Sequence, residues 1–369
     1  MMKLNLQLFA HDAQERYSSL VLAKLRNELV LKDGLVFNND YEGDPVAGVV
    51  KIPTRDGEVV ASDYDKANGL APTHGSSAYV DLPLNKDKAV NEVIDGYDAE
   101  AVPDNLVADR LDSAGYSLGR VVDTDGATEL LASGTKVGVA ALDKDTVYGI
   151  LVDQRTAMSK DNIPPSGRYA LCTPDTIAAV VKSPEFTSAS SLGDEVKQSG
   201  VIGRIAGFNI VEYNDTTANL AMICGHPRFA TRVNEWKVGI HLQDLAGSGK
   251  YIGASAVQGR LVYAHKVLRQ KGVRCVYAPG VLALAAAVGA TSGTTKLTVT
   301  DTSGATSYKY TKNPAARAVY DAAYTGAALT SGSTEIAAAN GDVIEVVGLK
   351  SNKVAVVGYI KLATADIKG

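Results

Sequence analysis

"GVIGRIAGFNIVEY" runs from Gly200 to Tyr213, and its glycines Gly200, Gly203 and Gly207 form the pattern G-x-x-G-x-x-x-G. Two arrangements use glycines this densely. A phosphate-binding loop sets them directly after a strand and directly before a helix, so that backbone N–H groups and the helix dipole face the anion. A hairpin sets them where the chain must reverse. Here Gly207 is followed by "FNIVEY", a strand-like run, and no Gly-Lys-Ser/Thr closes the pattern. The stretch reads as strand, tight turn, strand. The three glycines are expected to turn the chain and to hold no phosphate.

Working outward, no other segment supplies an active site. No H-E-x-x-H, G-x-S-x-G or paired-cysteine motif is present. The three cysteines, Cys172, Cys224 and Cys275, are too sparse for a disulfide framework and read as buried reduced thiols. Cys224-Gly-His226 is half a metal site with no second pair nearby in the sequence. His265 sits within a strand-like run and reads as a packed or surface histidine. Asp194-Glu195 reads as a solvated helix face. Trp236, the single tryptophan, reads as a core or interface anchor. No catalytic, cofactor-binding or metal-binding residue is assigned.

Composition narrows the class further. The 369 residues, 46% hydrophobic and 21% charged, are ordinary for a globular protein and long enough for two domains of about 150 residues. A net charge of −4 argues against a general nucleic-acid binder, which needs a basic face to neutralise phosphates. "MMKLNLQLFA" is interrupted by Asn5 and Gln7 and predicts no secretory signal. No run approaches the ~18 apolar residues of a membrane span.

The order of elements is more specific than any motif. Residues 11–32 predict a helix through Leu20, Val21, Lys24, Leu25 and Leu29. From Asp44 to Leu84 the chain turns rich in glycine and proline. "VAGVVKIP" and "GEVVASDY" predict two strands joined at Asp56-Gly57, and "SAYVDLPL" a further strand. So little apolar mass cannot form its own core, so this excursion is expected to lie on something else, such as a neighbouring subunit. Val107, Leu111, Ala114, Leu118 and Val121 then make one stripe of a long helix, about 100–122. A second helix carries Val147, Ile150, Leu151 and Met158 inward, with Asp145 as its expected cap. "RYALCT" predicts a strand, and "TPDTIAAVVKS" a short helix opened by Thr173 and Pro174. A short helix is expected near 190–199. "LAMICG", "KVGIHLQ", "GRLVYAHKVLR" and "GVRCVYA" predict strands. After Pro279-Gly280 the chain becomes rich in Ala, Gly, Thr and Ser. There "TKLTVT", "SYKYTK", "TEIAAA", "DVIEVVGL" and "KVAVVGYI" predict a small β-rich module over 281–369, a sandwich or an Ig-like unit.

This order resembles the major capsid proteins of tailed bacteriophages, the Hong Kong 97 fold, an α+β class. "MMKLNLQLFA" is similar to the start of many phage head proteins. Residues 44–84 resemble the family's extended loop, and "DNLVADRLDSAGYSLGRVV" its spine helix. "VYGILVDQRTAMSKDNIPPSGRYALCTPDTIAAVVKSPEF" and "GVIGRIAGFNIVEYN" resemble the axial domain. "YIGASAVQGRLVYAHKVLRQKGVRCVY" resembles the closing strands. The likeness covers about residues 1–280: an arm over 1–43, the loop over 44–84, the spine helix, a peripheral domain, and an axial domain about 140–255. Residues 281–369 are an addition, expected on the exterior.

The resemblance implies a structural protein, not an enzyme, with no cofactor. It implies hexamers and pentamers assembling into an icosahedral shell around double-stranded DNA, which the shell encloses without reading its sequence. It also implies a separate scaffolding protein, a portal and a maturation protease, assembly in the host cytoplasm, and no membrane. Arg55, Asp56, Gly57 and Glu58 at the loop tip become candidates for contact with a neighbour. An encapsulin-like nanocompartment shares the fold and stays open as an alternative. So does a surface or carbohydrate-binding protein acting through 281–369.

Overall fold

The computed structural model describes residues 29–41, 48–54, 61–70, 78–97, 106–184, 203–247 and 249–369. The helix expected near 190–199 lies outside them, as does all of the expected 11–32 helix before Leu29. Residues 29–32 themselves carry no helix.

Strands β1 (Val49–Thr54) and β2 (Ala78–Pro83) form an antiparallel ribbon in which Thr54 faces Ala78 and Val49 faces Pro83. This corrects the expected pairing: "VAGVVKIP" takes "SAYVDLP" as its partner, and Ala61–Tyr64 of "GEVVASDY" are irregular. Strand β3 (Lys86–Asp95) follows, then helix α1 (Leu106–Ser133). The helix runs well past the Val122 expected as its end. Gly126 lies within the added turns. In the fold it is a notch, since a Cβ there would stand 3.0 Å from the Phe37 ring and 3.3 Å from Nε2 of His265. The buried stripe continues beyond it through Ala127 and Leu130.

A six-stranded sheet forms the centre of the molecule. It is built from β4 (Thr135–Gly138), β5 (Tyr169–Cys172), β6 (Arg204–Ile205), β7 (Phe208–Glu212), β8 (Leu220–Gly225) and β11 (Val273–Tyr277), in the order β4-β11-β8-β5-β7-β6. Helices α2 (Val147–Lys160) and α3 (Pro174–Lys182) pack Ile150, Leu151, Met158 and Val180 against Ala170, Met222 and Val276 of this sheet. The cap position of α2 is Thr146, not Asp145, and its side chain makes no capping bond; the Asp143 carboxylate closes the turn before it, accepting the N–H groups of Asp145 and Thr146 at 3.0 and 2.9 Å. Thr173 precedes Pro174 as expected, but its hydroxyl donates to the carbonyl of Ala221 at 3.0 Å and caps nothing. Arg168, fully buried without an acidic partner, closes the far end of α2. It donates to the carbonyls of Arg155, Ile163 and Pro164 and to Ser159. The guanidinium thereby ties the last turns of α2 to the chain that leaves it at Ile163 and Pro164.

Two long strands, β9 (Ala230–Asp244) and β10 (Ala254–Val267), join β3 in a second sheet of order β3-β10-β9. Helix α1 covers one face, with Val107, Leu111 and Ala114 on Val90, Ile94, Ile240 and Val257.

The last part of the chain makes two further sheets. One has the order β12-β19-β18-β15-β16, from β12 (Gly280–Val281), β15 (Ser307–Lys312), β16 (Ala327–Leu329), β18 (Val343–Lys350) and β19 (Lys353–Lys361). The other is β13-β14-β17, from β13 (Ala283–Val288), β14 (Thr294–Thr300) and β17 (Ile336–Ala337). They share a core of Leu282, Leu297, Ile336, Ile344, Val346 and Val356. β13 comes from the alanine-rich run, where alternation is too weak to signal a strand. The opposite face of the five-stranded sheet is covered by residues 313–324. There Glu345, buried, accepts from the Ala318 N–H at 2.8 Å and from the hydroxyls of Tyr324 and Tyr359 at 2.9 and 2.6 Å.

That covering segment also meets the six-stranded sheet. Tyr320 stacks on Tyr277 at 5.6 Å, its N–H donates to Val139 at 3.1 Å, and Arg317 pairs with Asp143 at 3.5 Å.

Candidate assembly surface

The β1–β2 ribbon has two unlike faces, as alternation requires. Ile52 and Leu82 point inward and are buried against Val233 of β9 and Ala264 of β10. The excursion therefore rests on its own chain at its base, which corrects the expectation that it needs a neighbour for all its support. The opposite face carries Val49, Lys51, Pro53, Tyr79 and Asp81, with Tyr79 62% exposed. Lys51 stands across from Asp81. Further out, Asp65 accepts the Ala67 N–H at 2.9 Å and closes a turn to Gly69, with Tyr64 and Leu70 exposed beside it. Arg55, Asp56, Gly57 and Glu58 lie outside the described residues.

A second exposed apolar group sits where β9 turns into β10. Ile252 is 94% exposed, and Tyr97, at the end of β3, is 82% exposed. The two ends approach closely: a Cβ on Gly96 would collide with the Gly253 carbonyl oxygen. Along the sheet face away from α1, Trp236 is 43% exposed under the Arg260 guanidinium, which pairs in turn with Asp87 of β3. It is a surface residue, not a core anchor.

The turn glycines are placed as follows. Ala206 and Gly207, with φ of 49° and 85°, are the two central residues of a tight turn joining β6 to β7. Positive φ at both positions is the turn whose twist suits a two-residue hairpin. Gly203 lies exposed just before β6, and Gly200 is outside the described residues.

The residues weighed for chemistry are engaged elsewhere. All three cysteines are buried, and burial pushes the thiols of Cys172 and Cys275 up to about 12. His226 accepts the Arg228 N–H at Nδ1, so Nε2 carries the proton and donates to Ser166 at 2.9 Å. His265 accepts from Nε of Arg232 at 3.0 Å, and burial beside that guanidinium pushes it down to about 3. Arg232, buried, also donates to the Leu31 carbonyl, pairs with Asp33 at 3.3 Å and lies over the Phe37 ring. It ties residues 31–37 to the long-stranded sheet. Sequence reading passed over both buried arginines. The signal for Arg168 was "IPPSGR", an arginine just after a helix end. Arg232 had none. Among the described residues no group of three or more His, Cys, Asp or Glu could hold a metal ion, and no helix is long and apolar enough to cross a membrane.

Anchored ribbon, open strands and exposed apolar tips make this the architecture of a shell subunit. A sequence profile for phage capsid proteins matches residues 93–281, more than half of the chain, and the chain belongs to that family. It is a structural protein of a bacteriophage capsid. Among solved structures, one of Mycobacterium phage Che8 aligns with a TM-score of 0.60 and 24% identity, covering 73% of this chain and 98% of that one. The capsid of cyanophage P-SCSP1u gives 0.59 at 15% identity, covering 72% and 92%. The mature capsid of bacteriophage PhiM1 gives 0.57 at 11%, covering 72% and 91%. At these identities the likeness is one of fold. No curated protein matches.

Proposed function

We propose that this chain is the major head protein of a tailed bacteriophage. Its copies assemble as hexamers and pentamers into an icosahedral shell around double-stranded DNA, in a Hong Kong 97-type arrangement. The observation that carries the reading is the β1–β2 ribbon. Its base is fixed by Ile52 and Leu82, while Val49, Tyr64, Leu70 and Tyr79 are exposed and offered to a neighbouring copy. Arg55, Asp56 and Glu58 stand in the ribbon's loop as ion-pair partners, each worth about 0–1 kcal/mol when exposed but repeated around a closed lattice. The net charge of −4 suits a wall that must not grip packed DNA.

In this reading residues 1–280 form the shell, with an arm over 1–43, the loop over 44–84, α1 as spine and an axial domain about 140–255 holding the turns at Gly200, Gly203 and Gly207. A separate scaffolding protein, a portal and a maturation protease act with it in the host cytoplasm. Residues 281–369 form an Ig-like module on the exterior. Its support is the strand order: counting from β13, the first, second and fifth strands form one sheet and the third, fourth, sixth and seventh the other, with β12 added beside the seventh, an order akin to Ig-like sandwiches. The family match ends at residue 281, where this module begins.

The test is negative-stain electron microscopy of the full chain, alone and with the neighbouring scaffold gene co-expressed. Closed shells or capsomer rings are expected. A monomer that stays inert with scaffold present overturns the reading. Deleting residues 54–60 should leave a folded subunit that no longer closes shells, and wild-type shells from that deletion would remove the loop's role.

A further inference from the structure

Asparagine stands directly before glycine twice in the chain, at Asn68-Gly69 and at Asn340-Gly341. The pair is chemically special because the glycine has no side chain to shield its backbone nitrogen from the asparagine amide. Both asparagines are exposed, and both glycines have positive φ, 69° and 91°. Their surroundings differ. At Gly69 the backbone N–H donates to the Asp65 carbonyl at 2.7 Å, and Nδ2 of Asn68 donates to the Asp65 carboxylate at 2.6 Å. Residues 61–68 are all exposed, so a single residue in an exposed turn holds both groups. At Gly341 the N–H donates at 2.9 Å to the carbonyl of Leu362, a buried member of the module core. The Asp342 carboxylate pins that turn further, accepting from the Ala339 N–H and from Asn313, both at 2.8 Å.

We propose that Asn68 is a self-modification site, which deamidates without an enzyme while Asn340 stays intact. The Gly69 nitrogen loses its proton and attacks Cγ of Asn68. The Cγ–Nδ2 bond breaks, and the side-chain nitrogen takes up a proton and leaves as ammonia. A cyclic succinimide remains. Water then opens the ring at either carbonyl, leaving aspartate or isoaspartate at position 68. Nothing is oxidised or reduced, and the co-reactant is solvent water. The attack needs the Gly69 N–H and the Asn68 amide both released. A turn with few buried contacts opens locally at little cost, whereas a bond to the core of a sandwich opens close to the cost of unfolding it. Asn68 is therefore released by opening residues 65–69, and Asn340 only by loosening the module.

The change alters the turn as well as the residue. A carboxylate takes the place of the donor that faces Asp65, and the like charges repel. The Ala67 N–H and the Asn68 amide hold the Asp65 carboxyl below its usual range, and the second of these donors is lost. The turn between Tyr64 and Leu70 then opens, and the chain gains one negative charge. This goes beyond the shell reading and does not depend on it.

The test holds the full-length chain in mildly alkaline buffer and follows it by peptide mapping with mass spectrometry, reading amide-to-acid conversion at both sites. Asn68 should convert roughly tenfold faster than Asn340, giving paired aspartate and isoaspartate peptides, since the reaction follows the population of the open turn. Equal rates, faster change at Asn340, or no change at Asn68 overturns the proposal. Asp65→Ala removes the side-chain tie at an exposed residue and leaves the core untouched. It should speed conversion at Asn68 severalfold with Asn340 unmoved. An unchanged or slower rate at Asn68 in that variant also overturns it.

Discussion

Residues 29–281 and residues 282–369 solve the problem of burial in opposite ways. The first region buries a core on both sides of its six-stranded sheet but leaves a ribbon face, a strand tip and Trp236 uncovered. The second closes two short sheets on each other and on residues 313–324, burying Leu297, Ile344 and Val347 among its own side chains while Val288 and Val319 stay partly exposed. A region that leaves surface open is built for company, and a region that closes is built to stand by itself. The seam between them carries the stacked tyrosine pair, the Tyr320 N–H bond to Val139, an Asn219 side-chain bond to the Ala355 carbonyl, the exposed Arg317–Asp143 ion pair and the short β12–β19 pairing where the chain crosses over.

The contrast breaks first if the halves cannot part. Residues 279–369 expressed alone should unfold cooperatively on heating, and a chain ending at residue 281 should keep its own transition. An unfolded module in calorimetry would show that the closure is borrowed from the rest of the chain.

Single cavities sharpen it. Leu151→Ala and Leu297→Ala each remove a fully buried side chain and should cost about 2–5 kcal/mol. The first should lower one calorimetric transition and the second the other. A shift of both transitions by either variant would make the molecule one cooperative unit.

Glu345→Gln is a smaller probe. It turns a buried acceptor of three hydrogen bonds into a group that can satisfy them only in part, at about 1–3 kcal/mol. The loss should fall on the module transition and loosen the seam, read as faster amide exchange at Tyr320.

Acid should separate the regions as well. His265 titrates near 3 when folded against 6.5 unfolded, so between those values the unfolded chain binds more protons. The stability of the first region therefore falls as pH drops from about 6.5 toward 3, and His265→Gln should flatten that slope. In the module, hydrogen bonds hold Asp301 and Glu335 down to about 2, so their contribution survives until pH falls below about 4. A module that melts first in acid would reverse the order. Tyr79→Asp should move neither transition by more than about 0.5 kcal/mol while impairing shell closure in the microscope.

Much of this was legible where pattern and burial coincide. Ile150, Leu151 and Met158 face inward as their spacing requires, and the strands of "LAMICG" and "KVAVVGYI" lie where their apolar runs put them. Reading failed where a distant residue decides the local outcome. The helix expected to end near residue 122 runs on to Ser133, with Phe37 laid on the notch at Gly126. The partner of β1 comes from beyond residues 55–77, where Leu82 packs beside Ile52 on Val233 and Ala264. Of the assembly surface, sequence located the ribbon but not its footing, since a footing is made by four side chains from four separate strands.

That footing has a mechanical meaning. A pull on the loop beyond Thr54 and Ala78 draws both strands of the ribbon the same way, so the hydrogen-bonded ladder between them carries none of the load. The load falls on Ile52 and Leu82 where they rest on Val233 and Ala264. Packing contacts of this kind have no preferred direction. The ribbon is thus held by side chains pressed on a sheet face and not by an edge-to-edge ladder to the rest of the molecule, so its attachment depends on the fit of a few apolar groups.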